Sequence, residues 1–557
     1  MSQTSINPFN HDVAAPDAVT VSVNYNGTWI QVPKGRNVVE VARSQGDFLP
    51  HFCYHEKLSV SGNCRLCLFE MGAPKLGPDR KPVIGADGHP ELNWLPRPQI
   101  GCATNVSDGM GIRTNSPLAV DCRRDVLEFL LINHPLDCPI CDQAGECKLQ
   151  EFASAYGRGE SRFVEDKITK PKHFDLGKNL IIDDERCILC TRCIRFAREV
   201  LHDDALGIVN RGGHNTVTCH PDQRFDNEYS LNAADLCPVG ALTSKDFRFK
   251  MRVWFLKETK SICVGCGTGC NVTIGSREQT VYRLTPRHNA AVNSQWLCDT
   301  GRLDIHYLSA PNRFTNPSVR VRGELYATAW DDTLRQAGRR LRSFAGSQIA
   351  LLASARMTNE ELFLSKTIAD ELGVTVSAIV PRAGQGDNFL RSADLNPNSV
   401  GARLLGFTAD ADGGLTAVRD GVRSGQIKAL LVWHEDVTVS GLTTAELAKL
   451  DLIIYVGLSP NTTTGLAHFI LPAAGFAEKH GTMVSVSGRL QRLNPACPPP
   501  GQAREDVAIL AGLRAAATDG AGLATSAEIF AAIANQVPAF AGLTLEQVGD
   551  LGAPLTV

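Results

Sequence analysis

Fifteen cysteines and one histidine within the first three hundred residues fall into four groups, each spaced to ligate one polynuclear metal centre. The first is Cys53-x10-Cys64-x2-Cys67, closed by Cys102 or, as the fallback, by Cys122. The second lies within NHPLDCPICDQAGECKLQ (133–150) and consists of His134, Cys138, Cys141 and Cys147. Cys187-x2-Cys190-x2-Cys193 with a distant Cys237-Pro238 makes the third, and Cys263-x2-Cys266-x3-Cys270-x27-Cys298 the fourth.

Iron–sulfur clusters and zinc both take thiolate, so the spacing has to separate them. A cysteine loop closed by one distant cysteine is the plant-type arrangement around a [2Fe–2S] core, although a Cys-x2-Cys pair alone serves tetrahedral zinc equally well. In the second group a neutral imidazole removes one negative charge from the ligand set and raises the potential relative to four thiolates, with a zinc site of three cysteines and one histidine as the alternative. Three thiolates in the third group wrap one face of a four-iron cube, whereas zinc prefers two pairs. No second triad precedes Cys237, so it closes its own site. The fourth group is another cubane pattern, in which Gly265, Gly267 and Gly269 are expected to fold the backbone tightly and aim amides at sulfur. That glycine run could also be a dinucleotide loop, a reading opposed by the interleaved cysteines. Cys122, Cys219 and Cys497 are left over and are expected to be small buried apolar side chains. Four redox centres without an evident substrate site, and with no general acid, base or nucleophile singled out, read as an electron wire.

Several elements must position these ligands. VTVSVNYNG (19–27) alternates, turns at Asn26-Gly27 and returns through TWIQV (28–32), which predicts a hairpin. A short helix with Val38, Val41 and Ala42 on one face follows, capped near Gly46. Residues 72–98, rich in Pro and Gly, read as an inserted loop, and a helix over roughly 121–132 ends at Asn133-His134-Pro135. From 150 to 250 short elements surround loops that depend on their metal for stability. Beyond about 313 cysteine nearly vanishes and strands at 349–353, 374–380, 429–433 and 452–457 alternate with helices, including one begun by a Thr358/Glu361 capping box. The Ala-rich stretch 505–538 reads as packing helices. The fold class is multidomain, α+β and then α/β with a largely parallel sheet.

Lys+Arg 56 against Asp+Glu 59 gives no electrostatic case for nucleic acid or an anionic membrane. The first nineteen residues have neither a charged nor an apolar signal segment, and no apolar run is long enough to span a bilayer. Eighteen cysteines in a large chain of this kind favour metal over disulfides.

With these residues assembled, the chain resembles the G subunits of the proton-pumping NADH–quinone oxidoreductases, respiratory complex I, most specifically through residues 133–150. The resemblance implies one [2Fe–2S] and three [4Fe–4S] clusters. The first three would carry electrons from a flavin-bearing, NADH-oxidising partner through other peripheral-arm subunits towards quinone, with the fourth beside the main route. It places the chain on the cytoplasmic side of the plasma membrane, without a span of its own. It implies ferredoxin-like iron–sulfur domains followed by a truncated molybdopterin-oxidoreductase-like region. These are a [2Fe–2S] β-grasp domain at 17–117, a [4Fe–4S] domain with one histidine and three cysteines at 118–157, a [4Fe–4S] ferredoxin-like domain at 175–255, a [4Fe–4S] domain of molybdenum/tungsten-oxidoreductase type at 256–312, and the α/β domain at 313–557. The last part resembles molybdopterin oxidoreductases through FILPAAGFAEKHGTMVSVSGRLQRL (469–493). Thr300 stands where those enzymes place a lysine, no cysteine lies between Cys298 and Cys497, and little chain follows 493, so no molybdopterin is expected. Iron–sulfur subunits of NAD-linked formate dehydrogenases and hydrogenases share the N-terminal pattern and form the alternative reading.

Overall fold

In the computed structural model the described residues are 19–407, 414–520 and 522–556. The leader and the start expected at 17 lie outside them. The chain divides into two compact units, residues 1–254 and 255–557. Among the described residues no helix is long and apolar enough to cross a membrane.

The first unit opens on the expected hairpin. Thr20–Tyr25 pairs antiparallel with Thr28–Pro33, and the turn between them puts Asn26 and Gly27 at φ of 50° and 95°, as a two-residue hairpin turn of this hand requires. Helix Val38–Ser44 follows, with Asn37 and Glu40 forming a reciprocal capping box, and buries Val38, Val41 and Ala42. The stretch 72–98 corrects the expectation of an inserted loop at its two ends only, since 75–91 lies outside any strand or helix. Leu68–Pro74 pairs with Leu92–Trp94, and Gln99–Ile100 returns against Leu68 and Phe69. Proline and glycine mask these strands because their pairing partners, not their own alternation, hold them. Leu68–Pro74 also pairs with Met110–Arg113, which runs parallel to Thr20–Tyr25 and completes one mixed sheet. Helix Pro117–Leu131 starts earlier than expected, because Ser116 caps it and Pro117 occupies its first turn.

The second unit begins with an antiparallel meander, Lys257–Ile262, Asn271–Arg277 and Thr280–Pro286. Its main sheet has seven strands in the order Glu324–Ala327, Ser318–Val321, Phe469–Pro472, Leu452–Gly457, Ala429–Trp433, Ile349–Ala353 and Val376–Ile379. The last five are parallel, and Ser318–Val321 runs antiparallel to Phe469–Pro472. Successive strand residues point to opposite faces, and the core obeys this. Ile349, Leu351, Leu431 and Ile454 pack on one side with helices Trp330–Leu341, Asn359–Glu371 and Asp506–Thr518, while Ala350, Leu352, Leu430 and Ile453 pack on the other with Gly414–Ser424.

A buried ionic group ties this sheet to its helices. Lys479 Nζ lies 2.9 Å from Glu361 and 3.5 Å from Asp506, whose other oxygen accepts from His434. Burial alone would raise Asp506, but Lys479 and His434 draw it down to about 2. Lys479→Met removes the cation between two buried carboxylates and is expected to destabilise the protein by about 3–5 kcal/mol in denaturant unfolding. In the wild type the depressed Asp506 contributes stability that is present above its unfolded value of about 4 and is lost as pH falls towards about 2.

Candidate metal centres

The first thiol group is assembled by strand pairing. Because Leu68 sits opposite Ile100, Cys67 lies beside the turn Gly101–Ala103: Gly101 N donates to Cys67 O at 2.9 Å, and Cys102 N to Cys67 Sγ at 3.4 Å. A Cβ on Gly101 would stand 2.8 Å from that carbonyl, so the approach needs glycine. Arg65, at φ 59°, turns the chain between Cys64 and Cys67. Cys53, Cys67 and Cys102 are buried and Cys64 half-buried. Cys53 contacts Cys102 and Cys64 and is drawn towards thiolate by them, while the same contacts hold Cys102 and Cys64 as thiols. The structure therefore brings Cys102 to this group. Cys122, in the Pro117–Leu131 helix, is half-buried, with Asp121 and Asp125 raising its thiol after burial does.

In the second group Cys138, Cys141 and Cys147 lie within electrostatic reach of one another. Cys138 is exposed, Cys141 buried, and Cys147 caps the helix Lys148–Tyr156, whose dipole favours thiolate there. His134 follows the end of the preceding helix and shares the charge of Arg186 with Cys141. Burial, then Arg186 and Lys167, lowers His134 to about 4, leaving the neutral imidazole that a metal requires. Gly240 abuts the group: a Cβ there would fall 2.2 Å from Cys141 Sγ.

The third group wraps tightly. Leu189 and Thr191, between its cysteines, take positive φ of 54° and 63°, a strained choice for side chains of this kind that persists where surroundings over-determine it. Cys193 lies in the turn Arg192–Arg195, which continues as a π-helical turn Phe196–Val200, and Cys237 ends helix Asn232–Leu236. Burial raises all four thiols, Cys237 to about 12, and they raise one another further.

The fourth group occupies a hairpin end, where Cys263 N donates to Cys270 O at 2.8 Å. All four of its cysteines are buried around a cavity of about 50 Å3, lined also by Thr300, Asp304 and Arg391. Gly301 must be glycine, since a Cβ would meet Cys263 Sγ at 2.9 Å and Cys298 Sγ at 3.2 Å. The expectation for the glycine run is corrected in part. Gly265 N donates to Cys263 Sγ, but Gly267 N donates to Asp394 O and Gly269 N to Cys266 O. Gly301 N instead supplies the second amide, to Cys298 Sγ. Of the three leftover cysteines only Cys497 is buried; Cys122 and Cys219 are half-buried, and Cys219 donates to Leu176 O.

These donor sets fit a cationic cofactor. Several thiols crowded into apolar surroundings cannot all ionise unless positive charge joins them, and iron–sulfur cores supply it to thiolate and imidazole ligands alike.

Known proteins agree with that chemistry. Five family models match in succession: a 2Fe-2S iron-sulfur cluster binding domain over 18–117, the NADH-ubiquinone oxidoreductase-G iron-sulfur binding region over 123–162, the ferredoxin-like domain of NADH-quinone oxidoreductase subunit 3 over 177–243, an NADH-ubiquinone oxidoreductase NDSU1/NuoG-like 4Fe-4S domain over 256–306, and molybdopterin oxidoreductase over 378–516. The NADH-quinone oxidoreductase G subunit of Rickettsia felis is 40% identical over 354 residues, 63% of this chain and 49% of that one. Subunit 3 of the Thermus thermophilus enzyme is 35% identical over 365 residues, covering 63% and 46%. The NADH-ubiquinone oxidoreductase 75 kDa subunit of Reclinomonas americana is 38% identical over 407 residues, covering 70% and 55%. The chain thus spans about half the length of these curated relatives.

Fold and thiol groups together define an iron–sulfur protein with cluster-binding domains of both the [2Fe–2S] and [4Fe–4S] kinds, joined to a molybdopterin-oxidoreductase-type region. Over these stretches the chain is similar to the G subunits of NADH-quinone oxidoreductases.

Two substitutions probe the second group. His134→Ala is expected to remove or alter one tetranuclear EPR signal, and an unchanged spectrum would take His134 off the ligand set. Gly240→Ala should perturb the same signal by displacing Cys141, with iron content at the other groups retained.

Proposed function

We propose that the chain is an electron-transfer subunit of a proton-translocating NADH–quinone oxidoreductase, accepting single electrons from a flavin-bearing partner and passing them towards quinone, with no catalysis of its own. One observation carries this reading. Cys53 and Cys190 lie in a single apolar core with Phe52, Leu66, Leu149, Phe152 and Val239, against which Cys64, Cys147, Cys187 and Cys237 also pack. Ligands of three groups thus share one water-poor medium, which suits transfer between fixed centres.

In this reading Cys53, Cys64, Cys67 and Cys102 hold one [2Fe–2S] cluster. His134, Cys138, Cys141 and Cys147, then Cys187, Cys190, Cys193 and Cys237, then Cys263, Cys266, Cys270 and Cys298 each hold a [4Fe–4S] cluster. Bound clusters supply one-electron redox chemistry; the protein sets ligand identity, burial and the amides on sulfur. The domain limits inferred from the sequence belong to the same reading: 17–117, 118–157, 175–255 and 256–312 each enclose one group, and 313–557 encloses none. Other peripheral-arm subunits are the partners, at the cytoplasmic face of the membrane.

The second unit is read as a scaffold without pterin. A cavity of about 290 Å3 adjoins the carboxyl ends of its parallel strands, where ligands bind in such sheets. Its charged lining is already engaged: Lys479 with Glu361 and Asp506, His434 with Asp506, and Arg356 with Asp304 at 3.9 Å. No cysteine lines it.

Metal analysis of anaerobically prepared complex tests the proposal. The expected content is about 14 iron atoms per chain, with matching sulfide. Stoichiometric zinc with little iron would sink the electron-transfer reading, and molybdenum with formate oxidation would favour a formate dehydrogenase instead.

A further inference from the structure

The cysteine-bearing turn of the third group also carries two arginines, Arg192 and Arg195, whose hydrogen bonds reach the first group. Arg192 donates through one Nη to Tyr54 O at 2.5 Å and through the other to Leu236 O at 3.3 Å. These carbonyls adjoin Cys53 and Cys237 respectively. Arg195 donates to Cys53 O at 2.5 Å, to Cys190 O at 3.2 Å and to Ser59 O at 2.5 Å. Asn63 adds a side-chain bond to Leu189 O at 3.0 Å. The two ligand loops are therefore pinned to each other through guanidinium groups.

Two further observations give Arg192 an electrostatic part. Its Nε is buried and has no protein acceptor. The charges it faces are the thiols of Cys190, Cys53 and Cys64 and the neighbouring Arg195, and among the described residues no carboxylate makes an ion pair with it. Arg186, at the other end of the same segment, differs: Asp137 at 2.9 Å and Asp183 at 3.3 Å neutralise it. A buried, uncompensated cation between two thiol groups stabilises whichever state carries more negative charge, and for an iron–sulfur centre that is the reduced one.

We propose that Arg192, fixed in place with Arg195, is a positioning residue shared by the first and third centres: it sets their separation and raises both their potentials. This rests on the reading of these thiols as cluster ligands. Every atom involved belongs to the protein or its resident clusters, and the transferred electron needs no further reactant.

EPR-monitored redox titration of the intact complex tests it. At the wild-type midpoint potential, Arg192→Met is expected to lower the reduced-to-oxidised ratio of the first and third centres threefold or more, leaving the second and fourth unmoved. Arg192→Lys, which keeps the charge but loses the planar fork, should restore most of that ratio. Unmoved ratios in Arg192→Met overturn the proposal, as does a lysine variant shifted as far as the methionine one. Should methionine at 192 strip iron from the third centre, Arg195→Gln is titrated in its place, with the same two potentials expected to fall and unchanged values again overturning the idea. Wild-type complex lacking these signals would defeat the cluster reading itself, a separate failure from normal signals that the variants leave in place.

Discussion

A thiolate buried among apolar side chains is tolerable only beside positive charge, and the first unit is built around that constraint. Cys53, Cys67, Cys102 and Cys190 are sealed from water, with burial opposing ionisation at each of them. Backbone amides and guanidinium groups relieve part of this. In the proposed reading a cluster's positive charge would complete that compensation and help to hold the ligand loops folded. The strained residues at 65, 189 and 191 belong to the same account, since each lets a ligand loop close on a common centre.

The second unit depends on a different balance. Its parallel strands are buried on both faces, so alternation along each strand divides one sheet into two cores. The strands of that sheet carry none of the four thiol groups. The Lys479–Asp506–Glu361 group ties helices Asn359–Glu371 and Asp506–Thr518 together, and the bidentate Arg313–Glu478 pair, with one bond of 2.8 Å, joins two connecting segments. The meander bearing the fourth thiol group adjoins a separate strand, Arg489–Leu493, with Asn271 Nδ2 bonded to Gln491 at 2.6 Å.

Much of this was legible in the sequence because spacing is local. The hairpin at 20–33, the strands at 349–353, 429–433 and 452–457, the Thr358 cap and the short-range ligand triads all declare themselves within a few residues. What stayed hidden is what depends on a distant partner. The strands inside 72–98 are held by neighbours, and the company Cys102 keeps follows from the Leu68–Ile100 pairing, not from the count of residues between. Gly267 looks like an amide donor to sulfur until Asp394 arrives from far along the chain. Nothing in the sequence around Arg192 and Arg195 points to the carbonyls of Tyr54 and Cys53 that they reach.

That pairing of Leu68 with Ile100 also separates ligand geometry from chain length. Beyond it, Leu76 bridges to Pro82 and Ile84 to Pro90, forming small closed turns in which the Asp87-Gly88 tip is exposed. Residues can be gained or lost at that tip without moving Cys67 or Cys102, because the strands below act as a clasp. The excursion is therefore a permissive site, a place where a tag or a label could be carried while the first thiol group stays as it is.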